Sequence, residues 1–168
     1  MRFDTSEGFT AGELLMRLSE AEIADIIYRL GEERYSRKIA RKIVELRRKE
    51  SLPQTGRQLA DVVRQCIPKN WKNPIDRATR TFQALRIAVN DELGALQSVL
   101  EQLPERLKPE GVAAVISFHS LEDRIVKTAF RDSGHWDVIT SKPITASHSE
   151  IAQNPRSRSA KLRSAKRC

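Results

Sequence analysis

The chain has 168 residues, enough for one domain or two small ones with a real hydrophobic core. Thirty Lys and Arg against 22 Asp and Glu leave a net charge of +8. The excess is clustered, which favours a polyanionic partner, nucleic acid ahead of a membrane surface. No apolar run approaches the ~20 residues of a membrane span, and Met1-Arg-Phe-Asp-Thr5 has no signal-peptide core. Cys66 and Cys168 are the only cysteines. They make neither a disulfide framework nor a metal site, so a reducing cytoplasm is expected.

The first hundred residues read as helices. Thr10 is placed to cap a short helix ending near Arg17, and Ser19 with Glu22 forms a capping-box pattern for a second, which Gly31 ends. A third helix is predicted from about Glu33 to Lys49, with Tyr35, Ile39, Ile43 and Leu46 at helical spacing. Thr55 and Gln58 open a fourth, stopped by Pro68. A loop from Pro68 to Pro74 carries Trp71. From Asp76 one long helix is predicted to about Leu103, bent at Gly94, with Phe82, Leu85, Val89 and Leu93 on its apolar face.

The second half changes character. Val112 to Phe118 is an apolar run of the kind found in the buried centre of a parallel sheet. Leu121–Arg131 reads as a helix, Trp136–Thr140 as a second strand and Ala160–Arg167 as a short basic third. An apolar strand left at an open edge is an aggregation hazard, so this half reads as the later part of a larger α/β protein, and self-association through strand 112–118 is an expectation.

Four groups of residues stand out. Arg34, Arg37, Lys38, Arg41, Lys42, Arg47, Arg48 and Lys49 share the third helix with only Glu45 opposing them; their spacing makes either a phosphate-tracking stripe or a solvated face. Thr79, Gln83, Arg86 and Asn90 form a polar stripe on the long helix, a pattern suited to bases and phosphates and equally to an ordinary exposed face. Asn154, Arg156 and Arg158 open a tail that carries six basic residues and no acidic one from Ile151 to Cys168; it reads as a phosphate contact or as a loose basic end. Ser117, His119, Ser120, Glu122 and Asp123 follow the strand at 112–118, where ligand chemistry gathers in open α/β sheets. A Ser/His/Asp hydrolase is one reading of that group, but Gly-x-Ser-x-Gly is absent. The seven glycines never form Gly-x-Gly, and His135 and His148 lack ligand spacing, so no metal is expected.

Met1-Arg-Phe-Asp-Thr-Ser6, Gly31-Glu-Glu-Arg-Tyr-Ser-Arg-Lys-Ile-Ala40, Ala78–Leu93, Val115-Ile-Ser-Phe-His-Ser-Leu-Glu-Asp-Arg-Ile-Val-Lys127 and Asn154–Arg163 together resemble one family. It is the bacterial small-subunit ribosomal RNA cytosine-N4 methyltransferases, which use S-adenosylmethionine. The segments occur in the family's order and cover essentially the whole chain. The resemblance implies an α/β fold: the last three strands of a class I, Rossmann-like methyltransferase sheet at 111–168, preceded by an all-helical, RNA-engaging insertion at 8–103. It implies ribosomal RNA or the small ribosomal subunit as partner. By this resemblance Ser117, His119, Ser120, Glu122 and Asp123 lie on the catalytic side. Arg37, Lys38, Arg41, Thr79, Gln83, Arg86, Asn90, Asn154, Arg156 and Arg158 are candidates to meet RNA. The family's Gly-rich cofactor loop, its ribose-binding acid and its strand-four motif have no counterpart here, so no cofactor-binding residue carries over. The expectation is a chain inactive alone: an RNA-binding module, or one half of an enzyme whose N-terminal half is separate.

Overall fold

A computed structural model describes every residue of the chain except 5, 7, 70–74 and 133. The predicted loop residue Trp71 therefore lies outside the described residues. The helices begin where side chains satisfy the first backbone donors. α1 (Ala11–Arg17), α2 (Glu20–Gly31) and α4 (Gly56–Cys66) each open on a capping box, formed by Thr10 with Glu13, Ser19 with Glu22 and Thr55 with Gln58. α3 (Ser36–Arg48) has no side-chain cap at Tyr35; the carboxylate of Glu33 accepts from the Tyr35 N–H instead, at 2.8 Å.

The single long helix predicted from Asp76 is two, α5 (Thr79–Asn90) and α6 (Glu92–Arg106). The break falls at Asp91, which adopts a left-handed backbone (φ 46°), and not at Gly94. A left-handed residue cannot continue a right-handed helix, and Asp is among the few non-glycine residues that enter that region readily. α6 also runs on through Pro104 to Arg106.

The chain packs as two units, residues 1–92 and 93–168. In the first, α2, α3, α4 and α5 bury Ile23, Ile27, Ile39, Ile43, Val63 and Leu85. Arg47 ties α3 to the end of α1, its guanidinium donating to the carbonyls of Leu15, Met16 and Leu18 at 2.7–2.9 Å. Arg77 does the same for the end of α4, donating to Arg64 O and Ile67 O at 2.6 Å. Gly31 is where α2 comes closest to α5: a Cβ there would lie 2.5 Å from Arg80 O and 3.2 Å from Ala84 Cβ.

In the second unit α6 packs with the sheet: Leu96, Leu100, Leu103 and Leu107 join Ala113, Val126, Phe130, Trp136 and Ala165 in one core. The strands are β1 (Val112–Ser117), β2 (Trp136–Val138), β3 (Ile144–Thr145) and β4 (Lys161–Arg167). The predicted turn-rich stretch between β2 and β4 holds β3, the short helix α8 (His148–Gln153) and a 3-10 turn at Pro155–Ser159. The sheet runs β1-β4-β2, with β3 also on β4, and every pairing is antiparallel.

The expected parallel, doubly covered position for strand 112–118 is corrected on two counts. β1 is hydrogen-bonded to an antiparallel neighbour, with Val115 opposite Arg163 and Ser117 opposite Lys161. Only one of its faces is buried, under α7 (Ser120–Asp132), where Ala113 and Ser117 lie inside. The other face leaves Val112, Ile116 and Phe118 53–55% exposed. Ile116, Leu162 and Ile144 form a cross-strand row on that open face.

Gly31→Ala has no room between α2 and the Arg80 carbonyl. It is expected to lower unfolding free energy by about 2 kcal/mol, the scale of overpacking, in a urea titration. An unchanged midpoint would contradict the close packing of α2 on α5.

Candidate functional site

The loop between β1 and α7 gathers most of the candidate catalytic residues at the carboxyl end of a strand. His119 stands just before α7, and Glu122 is the third residue of that helix. Glu122 Oε2 accepts from the backbone N–H of Phe118 (2.7 Å) and of His119 (3.3 Å), while His119 Nδ1 accepts from the Glu122 N–H (3.3 Å). The pair makes a reciprocal cap with imidazole in the place usually held by a hydroxyl. Because Nδ1 accepts, the ring hydrogen of the neutral imidazole sits on Nε2, which faces Glu122 Oε1 at 3.4 Å. The imidazole is only 8% exposed, the carboxylate 21%. Ser120 opens the helix beside them.

Ser117 and Asp123 face a different way. Ser117 is buried and its hydroxyl donates to Lys161 O across the β1–β4 pair. Asp123 accepts from Arg163 Nε at 2.7 Å and Nη2 at 3.3 Å, and from Lys161 Nζ at 3.3 Å. Arg163 is 6% exposed, so its charge depends on that carboxylate for compensation. Lys161 and Arg163 were legible only as part of a basic tail. Their alternation with Leu162 and Ser164 in β4 is the signal that one face of this strand points inward.

The candidate RNA residues divide in the same way. On α3, Arg37, Lys38 and Arg41 are exposed; Arg41 lies 3.8 Å from Glu20 with both groups largely in water, and Arg37 and Lys38 form no side-chain ion pair among the described residues. Lys42 and Lys49 share Glu45, at 3.1 and 2.7 Å. On α5 three of the four polar groups are occupied within the first unit. Gln83 donates to Leu30 O, Arg86 forms a bidentate pair with Glu92, and Asn90 bridges Phe3 N, Met1 O and Arg86 O. Thr79 is exposed. In the tail, Asn154 Oδ1 accepts from Arg156 N and starts the 3-10 turn, which leaves Arg156 and Arg158 exposed.

The Arg163 guanidinium, by its hydrogen bonds, holds the Asp123 carboxyl below the usual carboxylate range, against the opposing effect of burial. A carboxyl lowered in the folded state adds stability that is whole above its unfolded value near 4 and is lost as pH falls through the folded value. Asp123→Asn is therefore expected to flatten the loss of stability below about pH 4. At pH 7 it should cost about 3 kcal/mol by stranding a buried guanidinium. Urea midpoints across pH for both proteins check this; parallel curves would contradict it.

Among the described residues no helix is long and apolar enough to cross a membrane. The sequence pattern of the MraW methylase family matches residues 1–168. Three curated relatives carry the name ribosomal RNA small subunit methyltransferase H. The one from Rhodopirellula baltica is 54% identical over 168 residues, 99% of this chain and 51% of its own length. Those from Sorangium cellulosum and Crocosphaera subtropica are 54% and 52% identical, each over 99% of this chain, and 53% and 52% of their own lengths. The chain thus spans about half the length of the curated relatives it matches. With its whole length matched and its sheet, helical unit and site loop as described, the chain belongs to the MraW methylase family.

Proposed function

We propose that this chain supplies the RNA-engaging helices and the far side of the catalytic sheet of a methyltransferase acting on small-subunit ribosomal RNA. The donor is S-adenosylmethionine and the target a cytosine N4 amine. The observation that carries the reading is the second unit's strand arrangement. β1 and β2 are each antiparallel to β4, and so parallel to each other with one reversed strand between them. That is the order expected where a class I methyltransferase sheet ends, and the loop at the carboxyl end of its parallel strand β1 carries the candidate site. The names of the relatives support ribosomal RNA as substrate.

The loop at 117–123 does not fit the methyl donor. A sulfonium cofactor with a charged amino-acid tail needs open backbone donors, and those before α7 are taken by Glu122 Oε2. No glycine lies in 117–123 to let backbone approach a ligand. The donor's cradle therefore belongs to residues outside this loop.

The share of the work left to this chain is the base. The lone pair of an exocyclic cytosine amine is delocalised into the ring, so it reacts only when held in line and with its N–H groups accepted. The base must first leave its stack, at a cost of a few kcal/mol. Glu122 offers a carboxylate acceptor at one edge of the loop, held by the His119 imidazole that faces it, with Ser120 beside them. Ser117 and Asp123 act as positioning residues: through Lys161 and Arg163 they fix the β1–α7 corner to β4. Arg37, Lys38, Arg41, Arg156 and Arg158 meet phosphates, with Asn154 shaping the turn before the last two.

Transfer of a labelled methyl group to small-subunit RNA tests the reading. The chain alone is expected to give none, and addition of the N-terminal half of the Rhodopirellula relative is expected to restore it. In that pair Glu122→Gln keeps the cap but loses the charge, and should lower turnover about a hundredfold with RNA affinity unchanged. Transfer by the chain alone, or none with the added half, would contradict the reading. Without the complement, the apolar open face and free edge of β1 favour a second copy of the chain. Sedimentation should show a dimer that grows with concentration and is lost in Ile116→Lys; a monomer throughout would contradict that use of the edge.

A further inference from the structure

The first unit contains a cleft of about 490 Å³ that the RNA stripe does not explain. It opens where three chain segments meet: the residues before α3, those after α4 and those leading into α5. Tyr35, Ile67 and Pro68 give it an apolar wall, and Arg34 and Arg80 stand at its lining. Its volume falls in the range of clefts that enclose small organic ligands.

The aromatic ring is held in place. The Glu33 carboxylate, itself 5% exposed, fixes the backbone under Tyr35 through the 2.8 Å bond to its N–H. The ring is half-buried and packs on the core on one side. The Arg34 guanidinium sits 5.5 Å from the ring centroid. Arg80, which lines the cleft, is exposed and anchored by donating to Glu32 O at 3.1 Å. The guanidinium lies over the ring, and such a stacked pair offers an outer planar surface of the kind on which unstacked bases settle in single-stranded RNA.

The cleft also continues the stripe. Arg34 stands just before α3, and the exposed Arg37, Lys38 and Arg41 follow on that helix, so basic groups lead from the cleft along it. A backbone tracked by Arg37, Lys38 and Arg41 would bring its next nucleotide to the Tyr35–Arg34 pair. A bare phosphate track needs no pocket with an apolar wall, and a small-molecule pocket needs no stripe beside it.

We infer that this cleft receives one unpaired nucleotide of the RNA, its base stacked against Tyr35 and Arg34 beside Ile67 and Pro68, its phosphates on Arg80 and the α3 stripe. The inference rests on the reading of the chain as an RNA-modifying protein and adds a base-holding site in the helical unit, apart from the loop at 117–123. Its consequence is a preference for single-stranded segments, since a base locked in a duplex cannot enter.

The test uses the 168-residue chain and a short single-stranded RNA from the small-subunit sequence, carrying 4-thiouridine at successive positions, with a matched duplex as control. Irradiation followed by peptide mapping is expected to place a crosslink at Tyr35 or Pro68. Binding should be about tenfold weaker for Tyr35→Ala, the scale of one lost stacking partner, and near native for Tyr35→Phe. Arg34→Ala, at an exposed position that leaves the core intact, should weaken binding several-fold and keeps the test valid if Tyr35→Ala unfolds. Crosslinks confined to Arg37, Lys38 and Arg41, with native affinity in Arg34→Ala, would overturn the cleft and leave the RNA reading standing. Equal affinity for the duplex would overturn it too. No salt-sensitive RNA binding at all would remove the cleft together with the reading beneath it.

Discussion

Every strand of the second unit depends on the same partner. β1, β2 and β3 hydrogen-bond to β4 and, among the described residues, to no other strand. Residues 161–167 therefore hold together segments that start as early as Val112 and as late as Ile144, and they do so with a sequence that is mostly charged or polar, Lys-Leu-Arg-Ser-Ala-Lys-Arg. What allows this is the assignment of each charge to a local acceptor. Arg163 and Lys161 meet Asp123 on the covered face, Lys166 meets Glu110 at 2.7 Å, and the Arg167 guanidinium donates to Leu107 O. The exposed pair contributes little and the buried one a great deal, because only the buried guanidinium has lost its water. The candidate catalytic loop inherits its position from this: α7 is pinned to β4 through Asp123, and His119 and Glu122 sit in the turn just before that pin.

The same economy governs the first unit. Several of its basic and polar groups that suit RNA by type are bound to the fold itself: Arg47 to the end of α1, Gln83 to the end of α2, Asn90 to the first residues of the chain. Those left facing water are concentrated on one face of α3 and around the cleft at Tyr35. The net charge of +8 is therefore a coarse guide to partners; what points to RNA is the subset of cations that the fold does not consume.

Local chemistry was legible in the sequence and distant pairing was not. Thr10 as a cap and the capping boxes Ser19–Glu22 and Thr55–Gln58, each spanning four residues, place the starts of α1, α2 and α4, and helical spacing marks Ile39 and Ile43 as core. The break at Asp91 was hidden because Gly94, a stronger breaker, stands three residues on, while the left-handed turn is settled by packing. The apolar run 112–117 suggested a strand covered on both sides, but its one paired neighbour, its antiparallel sense and its open face follow from contacts some forty to fifty residues away. For the site, residue types and their position after a strand were readable. That Asp123 is engaged by Arg163 and Glu122 by backbone donors was not, because a carboxylate's partner 40 residues off leaves no trace in local spacing. The cleft at Tyr35 is likewise built from three separate segments, and no local spacing brings Ile67, Pro68 and Arg80 to Arg34 and Tyr35.

In the function proposed above, the sheet of this chain is one side of a larger catalytic sheet. Hydrogen exchange at the amides of residues 112–118 tests it most directly, measured with and without the N-terminal half of the Rhodopirellula relative. The amides on the outer edge of β1 are expected to exchange quickly in the chain alone and to become protected when the complement is added, while those bonded to β4 are protected in both. Unchanged exchange along that edge in a mixture that transfers methyl groups would contradict it.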